Sequence, residues 1–334
     1  YLADLTYDTI IISTEAMPLN IGFIASYSLK KFKNDVNITL FKYINKLEKA
    51  IRESPPDILG LSNYIWSHNI ASEIFKIFRE INPHGITVWG GPNFPLDFPS
   101  QKKFMEEHPE VDIYVPTEGE VGFANVVKRA LQANSVEEIK QEILKKPIDN
   151  CISRDFDGKL QQTFTGYRIK KLDEIPSPYT TGLLDQFFDG DLNPMLQTTR
   201  GCPFHCTFCT DGADEVDQVN RFSPNRVQED INYIAEHVPE NTHTLYISDL
   251  NFGMLPGDIK TCDELVNVQH KYNFPTKILA TTGKNSKERI IESIKRLNGT
   301  MALSMSVQSM DQEVLTNIRR PNISVKKMMA LAPT

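Results

Sequence analysis

NPMLQTTRGCPFHCTFC, residues 193–209, is the stretch on which the fold turns. Its first part, NPMLQTT (193–199), is a short run that reads as a β-strand, and it leads directly into a loop. That loop gathers Cys202, Cys206 and Cys209 within eight positions, as Cys-x3-Cys-x2-Cys, with no fourth cysteine nearby. Structural zinc takes four closed ligands, and [4Fe–4S] clusters that only carry electrons are held by four Cys. Three thiolates around a cubane leave one iron without a protein ligand, an open coordination position of the kind catalytic metals keep for substrate. The residues alone leave other readings open. His205 or the distant Cys262 could complete a zinc site, the loop could hold a disulfide, or the thiols could be free and buried.

Outward from the loop, the chain after 193 repeats strand and helix. SPNRVQEDINYIAEHV (223–238) opens with a Ser-Pro helix start and sets Val227, Ile231, Ile234 and Val238 on one face. TLYIS (244–248) is the next strand, followed by a helix through Ile259, Cys262 and Leu265. KILAT (277–281) and MALSMSV (301–307) are two more strands. The helix after the first carries Ile290, Ile291, Ile294 and Leu297, and the one after the second carries Val314, Leu315 and Ile318. Four consecutive βα units predict part of a parallel barrel, whose chemistry sits at the C-terminal ends of the strands, where the cysteine loop lies.

The first third alternates in the same way. DTIIIST (8–14), VNITLF (36–41), DILGLSNY (57–64), ITVWGG (86–91) and VDIYVP (111–116) read as strands. PLNIGFIASYSLKKF (18–32), YINKLEKAIRE (43–53), ASEIFKIFREI (71–81) and VGFANVVKRAL (121–131) read as the helices between and after them. Apolar strands separated by helices imply a parallel sheet covered on both faces, a doubly wound flavodoxin-like or Rossmann-like domain over residues 1–134. Residues 135–192 read as a connector. Ser135 and Glu138 form a capping box for one more helix, CISRDFDGKLQQT turns as a hairpin at Asp157–Gly158, and Pro176 and Pro178 stiffen KLDEIPSPY. Residues 193–334 are then the barrel portion. Tyr1 as first residue, and a last residue soon after a helical pattern begins, lead to the expectation of a fragment ending inside the barrel.

Composition is that of a soluble globular protein, with 40% hydrophobic and 24% charged residues. A formal net charge of -7 provides no basic footprint for nucleic acid or an anionic membrane. No apolar run approaches a membrane span and the start does not read as a signal peptide. Five cysteines, three of them clustered, suit a metal or redox site in a reducing cytoplasm rather than a disulfide framework. Cys151 and Cys262 read as ordinary residues, Cys262 as a small hydrophobe on an apolar helix face.

CPFHCTFC, with Phe208 before the third cysteine and a strand before the loop, resembles the signature of radical S-adenosylmethionine (SAM) enzymes. The resemblance implies a partial (βα)6 barrel in which Cys202, Cys206 and Cys209 hold a [4Fe–4S] cluster. SAM chelates the fourth iron and is cleaved reductively to methionine and a 5′-deoxyadenosyl radical. By the same resemblance Phe208 lies near the adenine, Asp249 of ISDLNFG (247–253) accepts from SAM's amino group, and Gln308 and Ser309 of SVQSMDQEVL (306–315) approach the ribose. ISDLNFG departs from the family's common Gly-Gly-Glu pattern and is closer to the acidic variant of cobalamin-associated members. Asp249 also fits a turn after a strand, and Ser309 a helix cap. Arg319 and Arg320 could approach a carboxylate, and also read as solvated charge.

The first domain resembles the cobalamin-binding domain of one large radical SAM subgroup, on PLNIGFIASYSL, VWGGPNF and VDIYVPTEGEVGF, with LDEIPSPY as the interdomain connector. Gly90 and Gly91 would then allow a large planar cofactor to approach the backbone, although a tight turn alone would also use them. The Asp-x-His-x-x-Gly motif that supplies a cobalt-ligating His elsewhere is absent, EAMPLNIGF having no His. The resemblance implies a cobalamin-dependent radical SAM methyltransferase served by a flavodoxin or ferredoxin. A radical SAM cyclase or rearrangement enzyme with a degenerate first domain, and a non-catalytic zinc-binding α/β protein, remain as alternatives.

Overall fold

The computed structural model of the chain describes residues 1–7, 15–164, 168–212, 217–283, 287–302 and 308–320. It falls into two units, residues 1–169 with 174–184, and residues 170–173 with 185–334.

The first unit is built on one seven-stranded sheet of order β2-β1-β3-β4-β5-β6-β7. Its strands are β1 (Leu2–Thr6), β2 (Leu40–Tyr43), β3 (Ile58–Ser62), β4 (Ile86–Gly90), β5 (Ile113–Val115), β6 (Cys151–Arg154) and β7 (Leu160–Thr163). The helices are α1 (Leu19–Phe32), α2 (Ile44–Glu53), α3 (His68–Ile81), α4 (Phe98–Glu107), α5 (Gly119–Ala130) and α6 (Val136–Leu144). β1 to β5 pair in parallel, whereas β6 and β7 return antiparallel. The order 2-1-3-4-5 is the flavodoxin-like winding, whose ligand crevice lies at the C-terminal ends of β1 and β3, where the strand order reverses. The core beneath it includes Leu47, Ile51, Phe75, Phe78, Trp89 and Tyr114, each fully buried. α2 and α3 present Leu47 and Ile51, and Ile74, Phe75 and Phe78, at the helical spacing their sequences showed.

Several sequence expectations are corrected. The first described strand is Leu2–Thr6, and the expected strand DTIIIST (8–14) lies outside the described residues. LADLT was hidden by its aspartate. Asp4 is buried inside the sheet because Lys42 donates to it at 2.9 Å and Ser62 Oγ donates to its other oxygen. The second strand is Leu40–Tyr43, not 36–41. α4 was not expected, although its start is marked: Asp97 accepts from Ser100 N at 2.9 Å and Pro99 sits in the first turn. The capping box at Ser135 does not form; Ser135 makes no side-chain cap, and Glu138 Oε2 accepts instead from Asn134 N at 3.2 Å. The Asp157–Gly158 hairpin forms, but its strands extend the first sheet rather than belonging to a connector.

In the second unit β8 (Met195–Leu196), β11 (Thr244–Phe252) and β12 (Lys277–Thr282) form a parallel sheet of order β12-β11-β8. Between the first two, β9 (Thr199–Arg200) pairs antiparallel with β10 (Asn220–Arg221). α7 (Pro224–His237), α8 (Asp258–Tyr272), α9 (Lys287–Arg296) and α10 (Gln312–Asn317) complete it. Ser223 Oγ caps α7 by accepting from Arg226 N, as the Ser-Pro start implied. Met301 bridges Ile278 in parallel beside β12, continuing the sequential order expected of a βα barrel. Residues 303–307 of the expected strand MALSMSV lie outside the described residues. Among the described residues no helix is long and apolar enough to cross a membrane.

Candidate metal centre

The cysteine loop leaves β9 at Arg200 and returns through β10, so both its stems are hydrogen-bonded to each other. Gly201 turns it with φ +95. Cys206 is buried at 5% exposure, Cys202 is half-buried and Cys209 is exposed. A short turn joins the last two, Cys209 N–H donating to Cys206 O at 3.1 Å, and Gly212 closes on the same place. A side chain at Gly212 would meet Cys206 O at 2.4 Å, so the loop folds this tightly only with glycine there. The Cys209 thiol is pushed up, first by burial and then by the charges of Asp211, Cys202 and Cys206.

Asp249, on β11, is the anchor of this loop. It is 2% exposed and accepts four hydrogen bonds from the two residues that lead into β9 and the cysteines. Oδ1 takes Thr198 N at 2.7 Å and Thr199 N at 3.1 Å, while Oδ2 takes both threonine hydroxyls, Thr199 Oγ1 at 2.9 Å. Burial outweighs these donors and holds its carboxyl above the usual aspartate range. Both oxygens thus take donors from the protein itself, and Asp249 pins the strand end that leads to the cysteines.

Two donors reach the sulfurs. Asn251 Nδ2, on the same strand as Asp249, donates to Cys202 Sγ at 3.3 Å. Arg320 Nη1, just after α10, donates to Cys206 Sγ at 3.1 Å. Its guanidinium also lies 5.5 Å from the centre of the Phe208 ring, which is 52% exposed. Arg320 is therefore not solvated charge, and no sequence signal showed that it or Asn251 of ISDLNFG would reach a sulfur. Gln308 and Ser309 precede α10; Ser309 Oγ accepts from Asp311 N at 3.1 Å, and Asp311 is the residue that caps the helix.

Cys262 is excluded as a partner for the loop. It is fully buried on α8, and burial pushes its thiol up to about 12. His205 is exposed on the loop itself. Among the described residues no three His, Cys, Asp or Glu side chains are gathered as a mononuclear ion would need. The donor set nevertheless fits an iron–sulfur cluster: three soft thiols on one pinned loop, with N–H donors already on two of the sulfurs.

In the first unit, Gly90 and Gly91 have reasons internal to the sheet. Gly91 holds φ +129, and a side chain there would meet Asn63 O at 2.7 Å and Asn63 N at 2.9 Å. At Gly90 it would meet Val115 O at 3.1 Å. The neighbouring strand ends leave apolar groups exposed, Ile65 and Trp66 after β3 and Leu96 and Phe98 after β4. His68 is turned inward, its Nδ1 3.0 Å from Asn63 Oδ1 and its ring stacked on Trp89.

Comparison with known proteins agrees with this picture. Residues 196–332 match the Radical SAM superfamily. The chain is 29% identical over 287 residues to the cobalamin-dependent radical SAM methyltransferase TokK of Streptomyces tokunonensis, across 81% of this chain and 39% of that protein. It is 29% identical over 294 residues to 2-(S-pantetheinyl)-carbapenam-3-carboxylate methyltransferase of Streptantibioticus cattleyicolor, across 85% of this chain and 41% of that protein. The chain thus spans about two fifths of the length of these relatives. The structure of the cobalamin-dependent SAM radical enzyme OxsB with aqua-cobalamin and SAM bound aligns with 99% of the chain and 47% of its own, at TM-score 0.67 and 20% identity. Over residues 196–332 the chain is thus similar to the Radical SAM superfamily, and its α/β fold is similar to that of OxsB.

Proposed function

We propose that this chain carries the cobalamin-binding and cluster-binding parts of a B12-dependent radical SAM methyltransferase acting on an unreactive carbon. The carrying observation is the cysteine loop, three thiols without a fourth, fixed at the end of parallel strands by Asp249. A [4Fe–4S] cluster with SAM supplies one-electron cleavage of the sulfonium to a 5′-deoxyadenosyl radical, and cobalamin supplies a carrier for the methyl group.

The chain's own residues set the conditions for that chemistry. Cys202, Cys206 and Cys209 would hold the cluster, and Asp249 fixes the strand end from which they project. Asn251 and Arg320 direct N–H groups at two of the sulfurs. Phe208, Gln308 and Ser309 border the same loop and helix and are the residues offered to SAM. In the first unit the crevice between β1 and β3 is where a flavodoxin-like winding takes its ligand. The exposed Ile65, Trp66, Leu96 and Phe98 give strand ends suited to an apolar macrocycle. With His68 bonded to Asn63 and stacked on Trp89, cobalamin would bind there without that imidazole on cobalt. Relatives named as methyltransferases favour methyl transfer over cyclisation. The electron would come from a flavodoxin- or ferredoxin-type donor.

Low-temperature EPR of the anaerobically reconstituted, dithionite-reduced protein, with and without SAM, tests the cluster. A [4Fe–4S] signal that shifts on adding SAM supports the reading; zinc without sulfide refutes it. Cobalamin retained through gel filtration supports the B12 assignment, and its absence leaves a radical SAM protein without cobalamin.

A further inference from the structure

α10 ends in a reversal. Arg319 takes φ +50, Arg320 N–H donates back to Leu315 O at 2.9 Å, and Ile318 O accepts from Thr207 N at 3.2 Å. The turn thereby attaches to the cysteine loop and delivers one guanidinium to it. Arg320 Nη1 donates to Cys206 Sγ at 3.1 Å, and the Phe208 ring lies 5.5 Å from the guanidinium. Among the described residues the partners of this cation are a sulfur and a ring, not a carboxylate. Among the described residues its Nε–H is buried without a partner, which is costly unless the charge has another purpose. Cys206 is the most buried of the three thiols, so a charge placed on its sulfur is screened least by water.

We infer that Arg320 sets the reduction potential of the cluster held by Cys202, Cys206 and Cys209, by hydrogen-bonding the Cys206 sulfur and opposing the negative charge added on reduction. The inference rests on the cluster assignment above. One-electron reduction adds one negative charge to the cluster and its thiolates. A fixed cation and an N–H on the sulfur both favour the reduced form and raise the potential. Arg320 is then a positioning and tuning residue acting through Cys206. Asn251 on Cys202 contributes a neutral hydrogen bond of the same kind.

The experiment is an EPR-monitored redox titration of reconstituted wild type, Arg320→Met and Arg320→Lys, each brought to the same iron and sulfide content. Arg320→Met keeps an apolar stem beside Phe208 and removes charge and donor together. At a fixed potential its ratio of reduced to oxidised cluster falls about tenfold, equivalent to a midpoint about 59 mV more negative. Arg320→Lys keeps the charge and recovers most of that ratio, which a merely structural role would not do. Equal midpoints in all three proteins overturn the inference and leave the cluster assignment standing. No cluster in the wild type overturns both. If the Met variant takes up no cluster, Arg320→Gln decides: a ratio between wild type and tenfold lower supports the inference, and an unchanged ratio overturns it.

Discussion

Asp249 can be tested by taking away its acceptors in two ways. Asp249→Ala leaves the backbone N–H groups of Thr198 and Thr199 buried and unpaired, since both now donate to Oδ1. A buried donor left unsatisfied costs about 1–3 kcal/mol, so the pair costs about 2–6 kcal/mol, while the two hydroxyls can rotate to other acceptors. Asp249→Asn keeps an oxygen for both N–H groups and turns an amide toward the hydroxyls, which can accept; its cost is about 1 kcal/mol. Urea unfolding of the second unit reads the difference. With a slope of about 2 kcal/mol/M, the Ala midpoint falls by about 1–3 M and the Asn midpoint by about 0.5 M. Peptide-level hydrogen exchange over Thr198 and Thr199 places the effect, protection there being lost in the Ala variant. The sign with pH follows from the raised carboxyl. The stability wild type holds over the Asn variant is full below the ordinary aspartate range and shrinks as pH rises through the raised value. Two variants that lose the same small amount, with protection at Thr198 intact, would falsify the anchor.

Three further outcomes follow from the same geometry. Cys206→Ser keeps the loop fold and abolishes the SAM-responsive EPR signal, with iron per chain falling severalfold by chemical analysis. Gly91→Ala forces a side chain into Asn63's backbone at φ +129 and destabilises the first unit by about 1–3 kcal/mol, read as a lowered melting temperature. Burial alone would raise Glu110, but hydrogen bonds from Ser72 and His108 outweigh it and hold its carboxyl below the usual range. Its contribution is complete above the unfolded value and is lost as pH falls through the depressed one; Glu110→Gln therefore loses stability at neutral pH and shows a flatter acid limb in thermal melts.

The sequence was most legible where periodicity and chemistry agreed. α2, α3 and α7 fall within a few residues of where their apolar spacing put them, because each lays one stripe on a sheet. The cysteine loop needed no periodicity, since three soft ligands at that spacing have few other uses. Legibility failed where a buried charge broke the pattern. LADLT did not read as a strand because Asp4 is neutralised by Lys42, a residue distant in the chain. Asp249 was legible as a residue of interest, but the donors it takes from Thr198 and Thr199 were not, because those residues are distant in the chain. Arg320 was missed for a related reason: nothing local distinguishes a solvated arginine from one turned onto a sulfur by the residue before it.

The ribbon of β9 and β10 has a consequence for how such a protein is made. Because Thr199–Arg200 and Asn220–Arg221 pair with each other, the entropy of closing the segment between them is lost when the chain folds. On the proposed reading the three thiols are presented on a loop whose stems are already joined, so less ordering remains to be done when iron and sulfide bind. Maturation becomes an event separable from folding, one that an apo protein can await without misassembling.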